Sequence, residues 1–232
     1  MIKDTRIIAI TNQKGGVAKT TCSINIAAGL ASFGKKVLLF DLDPQHNLTV
    51  SLGIEAHNLD LTIYEVLANN QPLEDVVITT AGIDVIPASL SLSAAELELS
   101  SSAGREFLLK EAISLYDKVY DYIIFDCPPS LGLLTLNALT AAEEVFIPVQ
   151  TEYLALQGIN MLLDTIEIVK SRLNPGIYIS GIIPTRFDSR KGLHKEVLEY
   201  LTNTFGDLVF QSIIHDNVAV SESVSYGLPI IE

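Results

Sequence analysis

The sequence predicts one α/β domain in which helices cover both faces of a doubly wound, mostly parallel sheet. Short apolar runs alternate with longer helical patterns along the 232 residues. In these runs nearly every residue is apolar, which is typical of strands buried on both faces. No linker rich in proline, glycine or serine and no repeat divides the sequence. We therefore expect a single domain over residues 1–232.

Five apolar runs predict buried strands, and a sixth run is weaker. The weaker run is Ile83–Ile86. The other predicted strands are Arg6–Thr11, Lys36–Asp41, Asp121–Asp126, Glu144–Val149 and Tyr178–Pro184. Ligands of such sheets bind beyond the carboxyl ends of the strands, so the residues that follow each strand are the candidate site.

Helical spacing predicts four helices between these strands. The first follows the first strand and places Ile24, Ala27, Ala28 and Ala31 on one face. The other predicted helices are Glu106–Lys118, Tyr153–Arg172 and Lys191–Phe205, and Asn174-Pro175-Gly176 ends the second of these three.

Composition excludes several classes of protein. Hydrophobic residues make up 48% of the sequence and charged residues 19%, which excludes general disorder. The net charge of −13 predicts repulsion of nucleic acid and anionic membranes except at a local basic patch. Cys22 and Cys127 are too few for a disulfide framework or a four-ligand zinc site, so we expect both in the core. No signal peptide or membrane-spanning run is present in the sequence, and a cytoplasmic location is expected.

The loop after the first strand has the composition of a phosphate-binding loop. It runs from Asn12 to Thr21 and joins a buried strand to a helix. Gly15 and Gly16 allow phosphate to approach the backbone, Lys19 supplies positive charge, and the hydroxyl group of Thr20 can reach Mg²⁺. A tight Gly-Gly turn with an exposed lysine is the plainer interpretation, but the strand–loop–helix context favours phosphate binding.

This loop departs from the standard P-loop pattern at Gln13 and Ala18, where glycines are expected. We expect the methyl group of Ala18 to exclude the left-handed backbone that glycine could adopt. The motif Lys14-Gly15-Gly16-x-x-Lys19-Thr20 resembles the deviant Walker A motif of the ParA/MinD family of ATPases. The nearer likeness is to the small ParA/Soj partition ATPases.

The resemblance implies a nucleotide site and a dimer. It implies that Lys14 reaches across a dimer to the nucleotide of the partner, while Lys19 serves its own nucleotide. The implied nucleotide-binding residues are Lys14, Gly15, Gly16, Val17, Ala18, Lys19, Thr20 and Thr21, with Pro184 and Arg186 on the base side. ATP and Mg²⁺ are the implied cofactors.

Acidic residues follow two other predicted strands. The segment Asp41-Leu42-Asp43-Pro44-Gln45 resembles a D-x-D-P-Q segment of the same family, which implies that Asp43 positions the attacking water and that Asp41 lies near the metal. An aspartate that caps the following helix is the alternative interpretation. Asp126 follows apolar and aromatic residues, as in a Walker B strand whose carboxylate holds Mg²⁺ through water. The expected metal site is thus Thr20, Asp41 and Asp126, and Pro128–Gly132 resembles the family's switch II segment.

Basic residues cluster after the last predicted strand. Arg186, Arg190, Lys191 and Lys195 lie within ten residues, and Asp188 is the one acid among them. The resemblance implies that an ATP dimer binds DNA non-specifically through these residues. A solvated helix face is the alternative interpretation.

The function implied by the resemblance is an ATPase switch for partitioning a plasmid or chromosome. It implies slow turnover that a ParB-like protein or a cargo adaptor stimulates, and a nucleoid-associated location in the cytoplasm. Ala219 stands where many DNA-binding relatives carry arginine, and Asp216 lies nearby. A positioning ATPase for a protein cargo therefore remains an alternative. A nucleotide-binding module with little hydrolysis is another, which Ala18 in the phosphate loop leaves open.

Two features concern the C-terminal end of the sequence. Relatives usually continue into one more helix after a segment like Gly227–Glu232, which implies that this final helix is missing here. A basic amphipathic C-terminal helix is also absent from the sequence, so no membrane attachment is expected.

Overall fold

The computed structural model describes residues 5–152 and 155–231. Within these ranges seven strands form one sheet in the order β3-β4-β2-β5-β1-β6-β7. The strands are β1 (Arg6–Ile10), β2 (Val37–Asp41), β3 (Ile78–Thr80), β4 (Ile83–Ile86), β5 (Tyr122–Asp126), β6 (Glu144–Gln150) and β7 (Tyr178–Thr185). All neighbouring strands pair in parallel except β3 and β4.

Nine α-helices lie in the same described ranges. They are α1 (Lys19–Ser32), α2 (Asn47–Ser51), α3 (Ile63–Asn69), α4 (Leu92–Glu98), α5 (Leu108–Ser114), α6 (Leu133–Ala141), α7 (Ala155–Arg172), α8 (Gly192–Phe205) and α9 (Val218–Tyr226). The predicted doubly wound, mostly parallel sheet is confirmed. No helix in these ranges is long and apolar enough to cross a membrane.

The core has two halves because successive residues of a buried strand point to opposite faces of the sheet. In β1, Ile7 and Ala9 pack on the face covered by α3, α5, α6 and α7, whereas Ile8 and Ile10 pack on the face covered by α1 and α2. The two cysteines are buried in different halves, which confirms their expected place in the core. Alternating burial on two faces explains why almost every strand residue is apolar.

The elements that the sequence did not predict are short or lie at an edge. β3 has three residues, lies at the edge of the sheet beside β4 and is half-buried, so it carries no recognisable apolar run. The predicted helix over Glu106–Lys118 is shorter, because α5 ends at Ser114 and Leu115 is exposed. The predicted helix that begins at Tyr153 is observed from Ala155, since residues 153–154 lie outside the described ranges.

An ion pair and a hydrogen bond join three strands near their amino ends. The Arg6 guanidinium donates to both carboxylate oxygens of Glu144, over 2.6 and 2.7 Å, and thereby joins β1 to β6. The hydroxyl group of Ser180 on β7 donates to the same carboxylate. The Glu144 side chain is only 3% exposed, so Arg6 neutralises a buried charge.

Candidate functional site

The loop between β1 and α1 closes around the side chain of Lys19. This side chain is buried, and its Nζ donates to the carbonyl oxygen of Lys14 over 3.2 Å. Burial lowers the pKa of Lys19, although the nearby Asp126 acts in the opposite direction. Gly16 adopts a positive φ of 74° in the turn that precedes the helix. The loop therefore presents a positive charge and free backbone N–H groups at a helix N-terminus, the arrangement that binds phosphate.

Ala18 adopts the left-handed backbone that we expected its methyl group to exclude. Its φ is 67° and its ψ is 33°, at the residue that caps α1. The expectation was wrong because contacts on both sides fix this turn. The N–H of Cys22 donates to the carbonyl oxygen of Ala18 over 2.9 Å, and Thr185 Oγ1 donates to that of the buried Val17 over 3.1 Å.

Ala18→Gly is expected to stabilise the nucleotide-free protein. A left-handed alanine costs about 1–2 kcal/mol, which glycine would not. The greater freedom of glycine in the unfolded chain offsets about 0.5–1 kcal/mol of this gain in stability. We expect the melting temperature to rise by about 2 °C. Ala28→Gly, in the interior of α1, is the matched control and should lower the melting temperature. Equal losses in both variants would contradict the assignment of strain to Ala18.

Thr20 and Asp126 meet at the carboxyl end of the central strands. Thr20 Oγ1 donates to Asp126 Oδ2 over 2.7 Å, and Ser23 Oγ donates to the other oxygen over 2.9 Å. A carboxylate and a hydroxyl group are the oxygen ligands that Mg²⁺ prefers, so this pair fits the cation. Ser23 has no place in the predicted motif, although it lies one helical turn after Lys19.

Asp41, the third predicted metal ligand, does not line the cleft. It is fully buried, and one oxygen accepts from both the N–H and the hydroxyl group of Thr49, over 2.9 and 2.7 Å. Its other oxygen accepts from the N–H of Asp43 over 3.1 Å. Asp41 therefore shapes the turn that carries Asp43, and both its oxygens are bound by protein donors.

Burial makes the neighbouring carboxyl groups weak acids. Asp41 and Asp126 are paired in register on β2 and β5. Burial raises the pKa of Asp126 to about 7, with a further contribution from the charge of Asp41. Burial likewise raises the pKa of Asp41 to about 6. The folded protein therefore binds more protons than the unfolded chain between about pH 4 and pH 7, and these two groups lower its stability as pH rises through that range.

Asp126→Asn is expected to raise the melting temperature of the nucleotide-free protein at pH 8 by at least about 2 °C. The neutral amide removes the cost of a buried negative charge, and the gain should shrink towards pH 5, where Asp126 is already protonated. Thermal unfolding across this pH range measures the effect. The exposed Asp117→Asn is the control and should change little. A destabilised Asp126→Asn protein at pH 8 would contradict the assigned pKa.

A cleft of about 620 Å³ opens above these residues, within the size range of sites for small molecules. The predicted residues that line it are Gly15, Gly16, Ala18, Lys19, Thr20, Thr21, Asp43 and Arg186. Val17, Pro184 and Asp126 lie behind this lining, since each is buried. Asp43 is 9% exposed and faces the same cleft as Lys19.

The far wall of the cleft could not be predicted from periodicity. It is formed in part by Ile214–Asn217, an irregular segment beside β7. The N–H of Ile214 donates to the carbonyl oxygen of Pro184 over 2.9 Å, and the N–H of Phe187 donates to that of Ile214 over 3.1 Å. The remaining lining residues that the site prediction did not include are Gln45, Asn47, Ser51, Pro129 and Val220.

Lys14 is directed away from the cleft formed by its own chain. Its Nζ lies 3.3 Å from Glu152 Oε2, and Gln150 donates to the other oxygen of Glu152 over 2.7 Å. The Lys14 side chain is 31% exposed, so solvent and a second chain can reach it. Of the two lysines of this loop, Lys19 is the one that lines the cleft.

The predicted DNA-binding residues are only partly free cations. Arg186 lines the cleft and pairs with Asp216 over 3.0 Å, so a second acid opposes the cluster besides Asp188. Arg190 pairs with Asp188 over 2.8 Å and lowers the pKa of that carboxyl group. Lys191 and Lys195 are exposed and form no ion pair among the residues that the structure describes.

Comparisons with known proteins agree with this geometry. A sequence family described as an AAA domain matches residues 5–179. The sporulation initiation inhibitor protein Soj of Bacillus subtilis is 48% identical, covering 97% of this chain and 90% of that protein. The chromosome partitioning protein ParA of Myxococcus xanthus is 49% identical, covering 97% and 81%.

A solved structure also resembles this chain. It is described as the cobyrinic acid a,c-diamide synthase of Mycobacterium smegmatis with a bound ATP analogue and magnesium. It is 40% identical, with a TM-score of 0.88, over 96% of this chain and 93% of that chain.

Proposed function

This chain belongs to the ParA/Soj family of partitioning ATPases, and we propose that it works as a switch whose ATP-bound form is a DNA-binding dimer. One observation carries the proposal: two lysines of one loop face different directions. Lys19 faces the cleft of its own chain, whereas Lys14 points out of it towards Glu152. Two ammonium groups at one phosphate would repel each other, and a second chain removes this conflict by placing its own phosphate near Lys14.

Binding and hydrolysis of ATP are proposed to take place in the cleft. Lys19 and the N–H groups of the loop hold the β- and γ-phosphates, and the oxygens of Thr20 and Asp126 hold Mg²⁺, directly or through water. Bound Mg²⁺ neutralises charge on the phosphates. Asp43 orients the water that attacks the γ-phosphorus, and ADP and phosphate are released. Arg186 lies at the wall of the cleft near Pro184, on the side proposed for the base.

Lys14 supplies a positive charge to the nucleotide of the partner chain. A cation supplied in trans stabilises charge that develops in the transition state, as an arginine finger does. ATP thus joins the two chains, and its hydrolysis removes the phosphate that Lys14 holds. Turnover by the protein alone is proposed to be slow and to be stimulated by a ParB-like protein or a cargo adaptor.

The DNA-binding surface of the dimer is proposed to centre on Lys191 and Lys195. These exposed lysines are free of ion pairs among the described residues, whereas Arg186 and Arg190 are each opposed by an aspartate. Two chains bring together four such lysines, which strengthens binding to phosphates through release of counterions. Association with DNA would place the ATP-bound protein on the nucleoid.

Gel retardation of plain duplex DNA tests this function. We expect retardation with ATP, none with ADP, and a steep loss of binding as salt rises. In Lys191→Glu/Lys195→Glu the dependence of log K on log salt should become shallower by about 0.9 for each DNA phosphate that the dimer no longer neutralises. Lys35→Glu/Lys36→Glu is the control, because these exposed lysines precede β2, at the end of the sheet away from the cleft. Retardation that is absent or independent of ATP would exclude the DNA-binding switch.

A protein cargo is the second candidate, because Asp216 neutralises Arg186 and Ala219 supplies no charge. ATP-dependent dimers that do not retain DNA would favour it. A nucleotide-binding module with little hydrolysis is distinguished by phosphate release: Asp43→Ala should abolish release in an ATPase and change nothing in the module.

A further inference from the structure

The carboxylate of Glu96 lies against the N-terminus of α6. The N–H of Leu134 donates to Glu96 Oε1 over 3.5 Å. A Cβ atom at Gly132 would overlap the same carboxylate. The φ of Gly132 is −80°, which other residues adopt freely, so a larger residue here would disturb the flexible Glu96 side chain rather than the backbone. Glu96 on α4 thereby caps a helix whose own capping residue has no side chain.

Helix α6 begins where the segment after Asp126 ends. Asp126 is fixed at one end of this segment by Thr20, and Pro129 in its middle lines the cleft. Gly132, at the other end, lies against Glu96. The six residues 127–132 are therefore held at one end by the Mg²⁺-binding pair and at the other by a carboxylate from α4.

The rest of α6 is anchored independently of Glu96. Asn137 Oδ1 accepts from the N–H of Leu109 over 3.1 Å, and Asn137 Nδ2 donates to the carbonyl oxygen of Arg105 over 2.8 Å. The first contact is with the start of α5, and the second is with the turn before it. Removal of the Glu96 carboxylate can therefore displace the first turn of α6 while the remainder of the helix stays folded.

We propose that Glu96 is a positioning residue for ATP hydrolysis, which rests on the function proposed above. Its carboxylate fixes the first turn of α6 and, through Gly132, the position of Pro129 and its neighbours at the cleft. Loss of one hydrogen bond to a charged group changes a rate by roughly tenfold when the free energy of that bond stabilises the transition state.

Steady-state kinetics of Glu96→Ala test this role. We expect kcat to fall about tenfold while the Kd for ATP stays within about twofold, because the phosphate loop is untouched. Glu96→Gln, which keeps an acceptor oxygen, should restore part of kcat. Glu98→Ala is the matched control: it lies on the same helix, accepts from the exposed Tyr64 hydroxyl group and should leave kcat unchanged.

A double-mutant cycle separates positioning from stability. Gly132→Ala alone should lower kcat, because its methyl group displaces the carboxylate, whereas Glu96→Ala/Gly132→Ala should be no slower than Glu96→Ala. Additive effects, or a lower melting temperature of Glu96→Ala with unchanged kcat, would overturn the proposal. If the wild-type protein releases no more phosphate than Lys19→Ala, the ATPase function fails as well. If Lys19→Ala releases less phosphate than wild type but the Glu96 variants have the wild-type kcat, the positioning role fails and the ATPase function stands.

Discussion

Lys14→Ala is expected to abolish ATP-dependent dimerisation and to lower turnover by about a thousandfold or more, the smallest effect typical of a catalytic cation supplied in trans. The Kd of the single chain for ATP should change little, because Lys14 points to Glu152 whereas Lys19 lines the cleft. Binding and dimerisation should therefore separate in this variant.

Three measurements on one preparation check the Lys14 prediction: ATP affinity by fluorescence titration, mass by light scattering with ATP or ADP, and phosphate release. Lys35→Ala is the control, since that lysine is exposed and lies away from the cleft. ATP-dependent dimers with full turnover in Lys14→Ala would show that the lysine does not act in trans. Loss of ATP binding by the single chain would show that Lys14 serves its own nucleotide.

Arg6→Ala is expected to reduce the free energy of unfolding by about 2 kcal/mol and the melting temperature by about 4–8 °C. It leaves the carboxylate of Glu144, which is 3% exposed, without its positive partner. Breaking a fully buried pair costs about 3–5 kcal/mol. We expect the smaller loss of about 2 kcal/mol because Arg6 is half-exposed and its removal lets water reach the carboxylate.

Chemical denaturation at pH 7 measures this effect. Arg105→Ala, which breaks a more exposed pair with Glu106, is the control and should cost about 0–1 kcal/mol. Adding Glu144→Gln to Arg6→Ala should restore stability, because a neutral amide needs no counter-ion. Equal losses in Arg6→Ala and Arg105→Ala would contradict the assignment.

The same ion pair predicts part of the response to acid. Arg6 lowers the pKa of Glu144 in the folded protein, so the pair contributes stability above the ordinary carboxyl pKa, and this contribution is lost as pH falls through the folded value. In Arg6→Ala this component of acid destabilisation should be absent.

The sequence predicted most of what local pattern controls. The apolar runs located six strands and their parallel arrangement, because a strand buried on both faces must be apolar at nearly every position. The spacing of Lys19 and Thr20 after a strand predicted a phosphate-binding loop, and both residues line one cleft in the structure. The short strand β3 was not predicted, because three half-exposed residues show no hydrophobic periodicity.

The structure adds side-chain contacts at the site that the sequence pattern did not predict. Thr49 and Asp43 donate to both oxygens of Asp41, which is fully buried and does not line the cleft. Asp216 reaches Arg186 from thirty residues away and reduces the predicted basic patch. The left-handed Ala18 violates a local backbone preference that neighbouring contacts override.

The sequence by itself determined six of the seven strands, the loop between β1 and α1 and the order of the carboxylates that follow the strands. These features repeat along the chain or join neighbours, and local sterics and burial suffice to specify them. Only the tertiary structure decided that Lys14 faces Glu152 and that Glu96 reaches Gly132. Such contacts depend on how separate helices and loops pack together, and no period or spacing in one segment records the position of another.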